Sequence, residues 1–296
     1  MSKPALVLVT GASGALGQRV LAALRTSGWR TRATAHRRPV PGAEEAVPAD
    51  VVDADAVSRA AAGATVIVHL AGRTHARRAG SYDAVNVGGT RNVVEAARRH
   101  AVGRLVHVST RAISPAGGGY SRSKLRAEEV VRTSGVPHVI LRLAEVYGAG
   151  GNEGLDDLVD RTRRGATVPL VGRGEDGVCP LFVEDAVAAI VAAAEAPAAR
   201  GGPYTLAGDC TTVAEFARAC ALAFDSGSRV VGVPRVAVAA AAAVSRLVPL
   251  PVYPDQPARL RSPKQGASPE AAEDLGFAAR PLRAGLALLA ASEGGP

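Results

Sequence analysis

Ala5-Leu-Val-Leu-Val-Thr10-Gly11-Ala-Ser13-Gly14-Ala15-Leu16-Gly17 decides the fold of this chain. Its first half is a nearly continuous apolar run, the pattern of a strand buried on both faces of a sheet. A Gly-x-x-Gly-x-x-Gly turn follows and opens a helical stretch, Gly17 to Ser27. In that setting Gly11 permits the tight turn, Gly14 lets backbone approach a pyrophosphate, and Gly17 lets helix and strand pack closely. The unpaired N–H groups at the helix start favour an anion. The glycine spacing is weak alone and gains its meaning from the strand before it and the helix after it. Gly11, Ser13, Gly14, Ala15 and Leu16 are assigned to a dinucleotide on these grounds.

The same alternation continues outward. Thr31 to Ala35, Thr65 to Leu70, Arg104 to Ser109 and His138 to Leu143 read as strands. Asp55 to Ala62, Val87 to His100 and Tyr120 to Thr133 read as helices between them. Strand–helix alternation implies an α/β fold with helices on both faces of a parallel sheet, and the right-handed crossover rule makes it a doubly wound Rossmann sheet of six or more strands. After Gly148 Gly and Pro punctuate shorter elements, with Ala-rich helical segments at Val183 to Ala196, Val213 to Phe224 and Val236 to Leu247. Residues 1–148 are expected to form the dinucleotide domain. Residues 149–296 are expected to form mainly a smaller C-terminal substrate lobe, with 178–197 returning to the sheet.

Composition narrows the class. The 296 residues are 47% hydrophobic, enough for a core, so disorder is excluded. Net charge is +8, yet the cations are 32 Arg and three Lys, scattered among acids, with only 3% aromatics. Nucleic-acid binding calls for clustered charge or stacking platforms, and neither is present. The apolar run at the N-terminus is too short for a signal peptide. The longest apolar stretch, Val236 to Val244, is far short of the roughly 20 residues of a membrane span, so no membrane partner is expected. Cys179, Cys210 and Cys220 have neither disulfide-framework nor metal-ligand spacing. The expectation is a soluble protein of a reducing cytoplasm, with no metal.

At the cofactor end, the second strand closes in Ala35-His36-Arg37-Arg38. An NAD site usually carries an acid there for the ribose hydroxyls, whereas Arg pairs with the 2′-phosphate of NADP. Three basic residues and no acid favour NADP, with NAD possible. Asp50, with Val51 beside it, closes the third strand and faces the adenine. Leu70-Ala71-Gly72 closes the fourth with small residues where the cofactor passes, and Leu143 lies at the end of a later strand.

The chemistry is read at Tyr120-Ser-Arg-Ser-Lys124. Tyr and Lys at i, i+4 share one helix face. An ammonium beside a phenol favours the phenolate, lowering a pKa of about 10 toward the working range. Such a tyrosine gives or takes a carbinol proton while hydride moves at the nicotinamide. This chain writes Arg almost everywhere, so its Lys here is informative. Ser109-Thr110 ends the strand ten residues earlier. Thr110 is chosen as the hydroxyl that holds the substrate oxygen, with Ser109 in support.

These residues together resemble the extended short-chain dehydrogenase/reductases, most closely the NAD-dependent epimerase/dehydratase family. The resemblance rests on the glycine turn, His69-Leu-Ala-Gly72, Asn86-Val-Gly-Gly-Thr90, Val108-Ser-Thr110, Tyr120-x-x-x-Lys124, Arg142-Leu-Ala-Glu-Val-Tyr-Gly148 and Val183-Glu-Asp-Ala186, in that order. It implies a catalytic set of Thr110, Tyr120 and Lys124, with Asn86 beside the nicotinamide. Two departures bear on substrate. Nucleotide-sugar members usually have Asn where this chain has Glu145, whose charge would repel a diphosphate, and Arg where it has Val178. Glu145 is otherwise a turn-facing residue outside the pocket. Arg173, Arg259 and Arg261 are available as replacement anion contacts. The resulting expectation is an NAD(P)-dependent oxidoreductase moving hydride at a secondary alcohol or ketone of a small polar, sugar-like substrate. The alternatives are a nucleotide-sugar 4-epimerase or 4-ketoreductase and, in another class, a non-catalytic NAD(P)-binding regulatory module. A homodimer is compatible with any of these.

Overall fold

The structure, a computed structural model, describes residues 5–78, 80–148, 150, 155–196, 199, 201–245, 253–255, 258–259 and 264–292. Seven strands form one sheet: β1 (Leu6–Thr10), β2 (Arg30–Ala35), β3 (Glu45–Pro48), β4 (Val66–His69), β5 (Arg104–Thr110), β6 (His138–Leu143) and β11 (Gly201–Leu206). Their order is β11-β6-β5-β4-β1-β2-β3, and every neighbouring pair is parallel. The chain runs outward from β1 to β3, then returns to the other side of β1 at β4. The crevice between β1 and β4 is therefore the switch point at which α/β sheets bind ligands.

Strand alternation sorts the core onto two faces. Val7, Val9, Val68, Val106 and Leu141 face one way, toward α1 (Ala15–Thr26) and α7 (Val183–Glu195). Leu6, Leu8, Ile67, Leu105 and Ile140 face α2 (Ala54–Ala61), α4 (Thr90–Arg99) and α5 (Gly118–Arg132). A short turn, α3 (Gly80–Tyr82), runs through a π-helical stretch, Asp83–Gly89, into α4. Such π segments recur at functional sites because the wider turn re-aims side chains.

Beyond the sheet, the chain builds small ribbons and helices. The ribbons are β7 (Val146–Tyr147) with β10 (Leu181–Phe182), β8 (Val168–Val171) with β13 (Val230–Val233), and β9 (Gly177–Val178) with β12 (Thr211–Thr212). The helices are α6 (Leu155–Arg163), α8 (Val213–Ala223), α9 (Arg235–Val244), α10 (Pro269–Leu275) and α11 (Leu282–Ser292). Buried Tyr147 ties the β7–β10 ribbon to α8, with ring centroids 5.4 Å from Phe182 and 5.6 Å from Phe216. The Ala-rich helix expected from Val236 to Leu247 is described from Arg235 to Val244; Leu247 lies outside the described residues.

Two expectations need correction here. Cys179 and Cys210 form a disulfide although 31 positions separate them. The antiparallel pairing of Val178 with Thr211 makes their neighbours adjacent, which spacing alone does not reveal. The expectation of a reducing cytoplasm rested on there being no disulfide, and it loses that support. Cys220 is buried and free, its thiol pushed up to about 12 by desolvation. Val178 is only 2% exposed and belongs to the apolar core, so it does not present itself to a pocket. Among the described residues no helix is long and apolar enough to cross a membrane, and no cluster of ligating side chains suits a metal.

The turn after β1 sits at φ +76° at Gly11, and a Cβ there would lie 2.6 Å from the backbone nitrogen of Ala71. Gly11→Ala thus combines a left-handed backbone with a clash against main chain. A loss of about 2–3 kcal/mol is expected by urea unfolding. An unchanged midpoint would mean that the turn does not pack on the β4 loop.

Candidate active site

The glycine turn divides its labour in a way that points to a ligand. A Cβ at Gly17 would lie 2.4 Å from the Gly11 carbonyl oxygen, so the fold itself requires glycine there, as it does at Gly11. At Gly14 the only near atom is that same oxygen at 3.4 Å, an ordinary contact, and the residue is exposed. Gly14 is the N-cap of α1, no side chain caps the helix, and its first turn holds no acid. The helix therefore offers bare N–H groups and the positive end of its dipole to the β1–β4 crevice. Half-buried Ser13, Ala15 and Leu16 stand around it. This arrangement fits a dinucleotide pyrophosphate.

At the β2 end, His36 meets Asp50, Nε2 to Oδ2 at 3.2 Å. Asp50 also accepts the Val52 N–H at 3.2 Å, so it closes the turn after β3. Val51 is buried. Arg37 and Arg38 are exposed and have no carboxylate partner among the described residues.

The carboxyl edge of the sheet is knitted by a neutral histidine. Thr90 donates to the Asn86 carbonyl at 2.6 Å, so its oxygen accepts from His69 Nε2 at 3.0 Å. His69 Nδ1 is then left to accept the Thr10 hydroxyl at 2.7 Å. Burial, reinforced by the charge of Lys124, drops the His69 pKa to about 3. Asn86 accepts the Arg73 N–H at 2.7 Å and donates to the Arg73 carbonyl at 3.1 Å and to Ser123 at 2.8 Å. Asn86 thus pins the Leu70–Ala71–Gly72 loop to α5, and its amide is fully engaged by protein.

Tyr120, Lys124 and Glu128 follow at i, i+4 and i+8 on α5. Lys124 is 6% exposed and donates to the Val108 carbonyl at 2.8 Å, which sets its ammonium against the end of β5. Burial lowers its pKa to about 8, against a smaller upward pull from Glu128. Glu128 is fully buried and holds Arg142 with two hydrogen bonds, 2.9 and 2.6 Å. It also accepts the Ser109 hydroxyl at 2.6 Å. Ser109 therefore spends its only proton on α5, and its expected support of substrate is replaced by a structural bond. Thr110 is half-buried at the strand end, accepts the Ala112 N–H at 3.2 Å, and has no acceptor for its own proton among the described residues. Leu143 pairs with Thr110 across β5 and β6.

The C-terminal chain crosses the catalytic candidate. The Arg259 guanidinium lies over the Tyr120 ring, 4.1 Å from its centroid. It is held by Asp255 at 2.7 Å, the Thr74 carbonyl at 2.5 Å and the Tyr82 hydroxyl at 3.1 Å. Asp255 accepts the Tyr120 backbone N–H at 3.3 Å. Arg259 is thus a cation on the tyrosine, not a free anion receptor. Arg261 lies outside the described residues. Arg173 is exposed and adjoins Gly232 of β13.

Glu145 is flanked by two cations. Arg111 bonds one carboxylate oxygen and Lys264 the other, the latter at 2.9 Å. Burial would raise its pKa, but Lys264 and Arg111 outweigh that and hold the carboxyl below its ordinary range. Arg111 is buried, and its Nε and Nη1 have no partner among the described residues. The group as a whole carries one net positive charge, so the expected repulsion of a diphosphate does not follow. Arg111, Lys264, Asp255 and Tyr82 were not singled out from sequence. Only Arg111, next to Thr110, lay close to a recognisable motif.

Comparison with known proteins adds the following. The sequence model of the NAD dependent epimerase/dehydratase family matches residues 7–207. Ceramide reductase of Caulobacter vibrioides is 34% identical over 197 residues, 65% of this chain and 62% of that protein. The 2-alkyl-3-oxoalkanoate reductase of Stenotrophomonas maltophilia is 32% identical over 219 residues, 64% of this chain and 65% of that one. The chain thus spans less than two thirds of the length of either relative. UDP-glucose 4-epimerase of Thermotoga maritima shares the fold, with a TM-score of 0.77, 19% identity and 97% coverage of both chains.

Two outcomes test the electrostatics. Lys124 binds fewer protons folded than unfolded between about pH 8 and 10.5, so its burial penalty is complete below that window and fades as pH rises through it. Lys124→Met is expected to be more stable than the parent at neutral pH by about 3 kcal/mol, with the gap closing toward pH 10.5. A constant gap in urea titrations across that range would contradict a buried ammonium. Glu145→Gln strands the Arg111 charge and is expected to cost about 3 kcal/mol in the same assay. A neutral effect would place Arg111 in solvent.

Proposed function

The chain belongs to the NAD-dependent epimerase/dehydratase family, and on that premise we propose that it is an NADP(H)-dependent reductase of a ketone borne on a substrate with a long apolar portion. The observation carrying this reading is the identity, 34% and 32%, to two reductases named for a ceramide and a 2-alkyl-3-oxoalkanoate. The small polar, sugar-like substrate expected from sequence is the alternative to it. Exposed Arg37 and Arg38 at the β2 end, with no acid among them, support NADP over NAD. Residues 1–148 serve as the dinucleotide domain in this reading, and most of the remainder holds substrate.

In this reading the α1 N-terminus and Gly14 receive the pyrophosphate, and Lys124 bonds the nicotinamide ribose. When bound, the reduced nicotinamide supplies hydride to the carbonyl carbon. Thr110 donates its unused proton to the carbonyl oxygen and orients it. Tyr120 transfers its phenolic proton to that oxygen as negative charge develops there, and the resulting phenolate is stabilised by the Lys124 ammonium on the same helix face. Arg259, stacked on the ring, adds a second cation on the phenolate side. In the reverse direction the same groups take the carbinol proton.

A second reading, a nucleotide-sugar 4-epimerase, is favoured by the net positive Arg111–Glu145–Lys264 group, which suits a diphosphate. The two readings separate on cofactor traffic. A reductase exchanges its dinucleotide with solution; an epimerase retains NAD⁺ through turnover. The expected result is steady NADPH consumption with a long-chain 3-oxoacyl compound and none with UDP-glucose. Tyr120→Phe should lower the rate by about 10²–10⁴-fold with NADPH affinity essentially unchanged. Full turnover by the variant would put the acid elsewhere, and tightly held NAD⁺ released on denaturation would favour the epimerase.

A further inference from the structure

Helix α9 is apolar on every side and yet exposed. Residues 236–244 read Val-Ala-Val-Ala-Ala-Ala-Ala-Ala-Val, without one polar side chain. Val236 is 78% exposed and Val244 48% exposed, and within the helix only Ala242 is buried. The strand leading into it adds exposed Val230 and Val231. A helix that is apolar all round belongs in a core or in lipid, because a water-facing helix otherwise carries a polar face. Here the fold leaves it in neither.

The surroundings are charged: Glu175 and Asp176 stand beside Arg235, and two further arginines are left unpaired among the described residues. Arg229 begins the approach to β13, and Arg173 stands beside its far end; both are exposed, and neither has a carboxylate partner among the described residues. Arg235 opens the helix and is paired with Asp176. The whole chain carries a net charge of +8. Small Ala and Val side chains offer no aromatic anchor of the kind that dominates protein interfaces. Apolar surface edged by cations is instead complementary to the headgroup and acyl boundary of an anionic bilayer. The segment that follows, Leu247-Val-Pro-Leu-Pro-Val252, is apolar in sequence as well.

We infer that α9, with its flanking arginines, docks this protein onto an anionic lipid surface, lying in the plane of the membrane without crossing it. A ten-residue helix is too short to span, which is why the sequence alone pointed away from membranes; a surface-lying helix has no such length requirement. The position of α9 gives the contact a use. Arg77 donates to the Ser245 carbonyl at the helix end, 2.9 Å, and also lies 5.7 Å from the Tyr253 ring. Two residues further on, Asp255 accepts the backbone N–H of Tyr120. The docking helix therefore adjoins the chain that crosses the site, where a lipid-borne substrate would arrive.

The inference goes beyond the reductase reading, and its test needs neither substrate nor nucleotide. The full chain is sedimented with vesicles of equimolar phosphatidylcholine and phosphatidylglycerol, alone and as the double variant Val236→Asp, Val244→Asp. Circular dichroism and thermal unfolding check that both exposed substitutions leave the fold intact. The parent protein is expected to pellet with these vesicles, less so at high salt, and the variant to bind at least about tenfold more weakly. A parent that stays in the supernatant, or a variant that pellets equally, overturns the proposal. So does a parent dimer in solution that the two aspartates dissociate, since a second copy would then cover the face.

Discussion

A single buried ammonium sets the terms for the carboxyl edge of the sheet. Lys124 lies within packed protein, bonded to the end of β5, and every titratable neighbour is arranged around that charge. His69 and His107 are fully buried, and desolvation with the nearby ammonium keeps both neutral. Neutrality is what lets His69 accept from Thr10 and donate to Thr90, since an imidazolium has no acceptor nitrogen. Glu128 would neutralise Lys124 outright, but its carboxylate is shared with Arg142 and Ser109. The ammonium is thus held close to losing its proton and available to whatever negative charge appears beside it. That is the environment the proton-transfer role proposed for Tyr120, four residues away, calls for.

Charge elsewhere in the site follows from groups, not from single residues. Glu145 taken by itself is an anion in the path of a phosphate. Set between Arg111 and Lys264 it becomes the counter-ion that allows two cations to stand together. Arg259 shows the same logic in reverse. Asp255 and the Thr74 carbonyl occupy its hydrogen-bonding edge, and what remains is the flat face laid on Tyr120.

Two Ala-rich helices make the corresponding point for apolar surface. α7 and α9 are both rich in Ala and Val, but α7 packs beside α1 on the sheet and buries most of its length, whereas α9 buries one residue. The difference follows from what each helix packs on: α7 lies on the central sheet against β4, β5 and β6, whereas α9 follows β13 of the peripheral β8–β13 ribbon.

Local periodicity and glycine placement were sufficient for the parallel strands up to β6, the glycine turn after β1 and the Tyr120–Lys124 helix face, but not for β11. These depend on contacts within about one strand–turn–helix unit, and that order is written in neighbouring residues. The Cys179–Cys210 bond, the burial of Val178, the diversion of Ser109 to Glu128, the pairing of Glu145 and the stacking of Arg259 were not legible. Each joins residues from different elements, 19 to 139 positions apart where a partner is named, and composition carries no record of which distant group arrives. Sequence by itself determined which chemical groups stand at the carboxyl edge of the sheet. Tertiary structure decided which of them are neutralised, buried or left facing the site, because burial and pairing are properties of the packed neighbourhood and not of the residue.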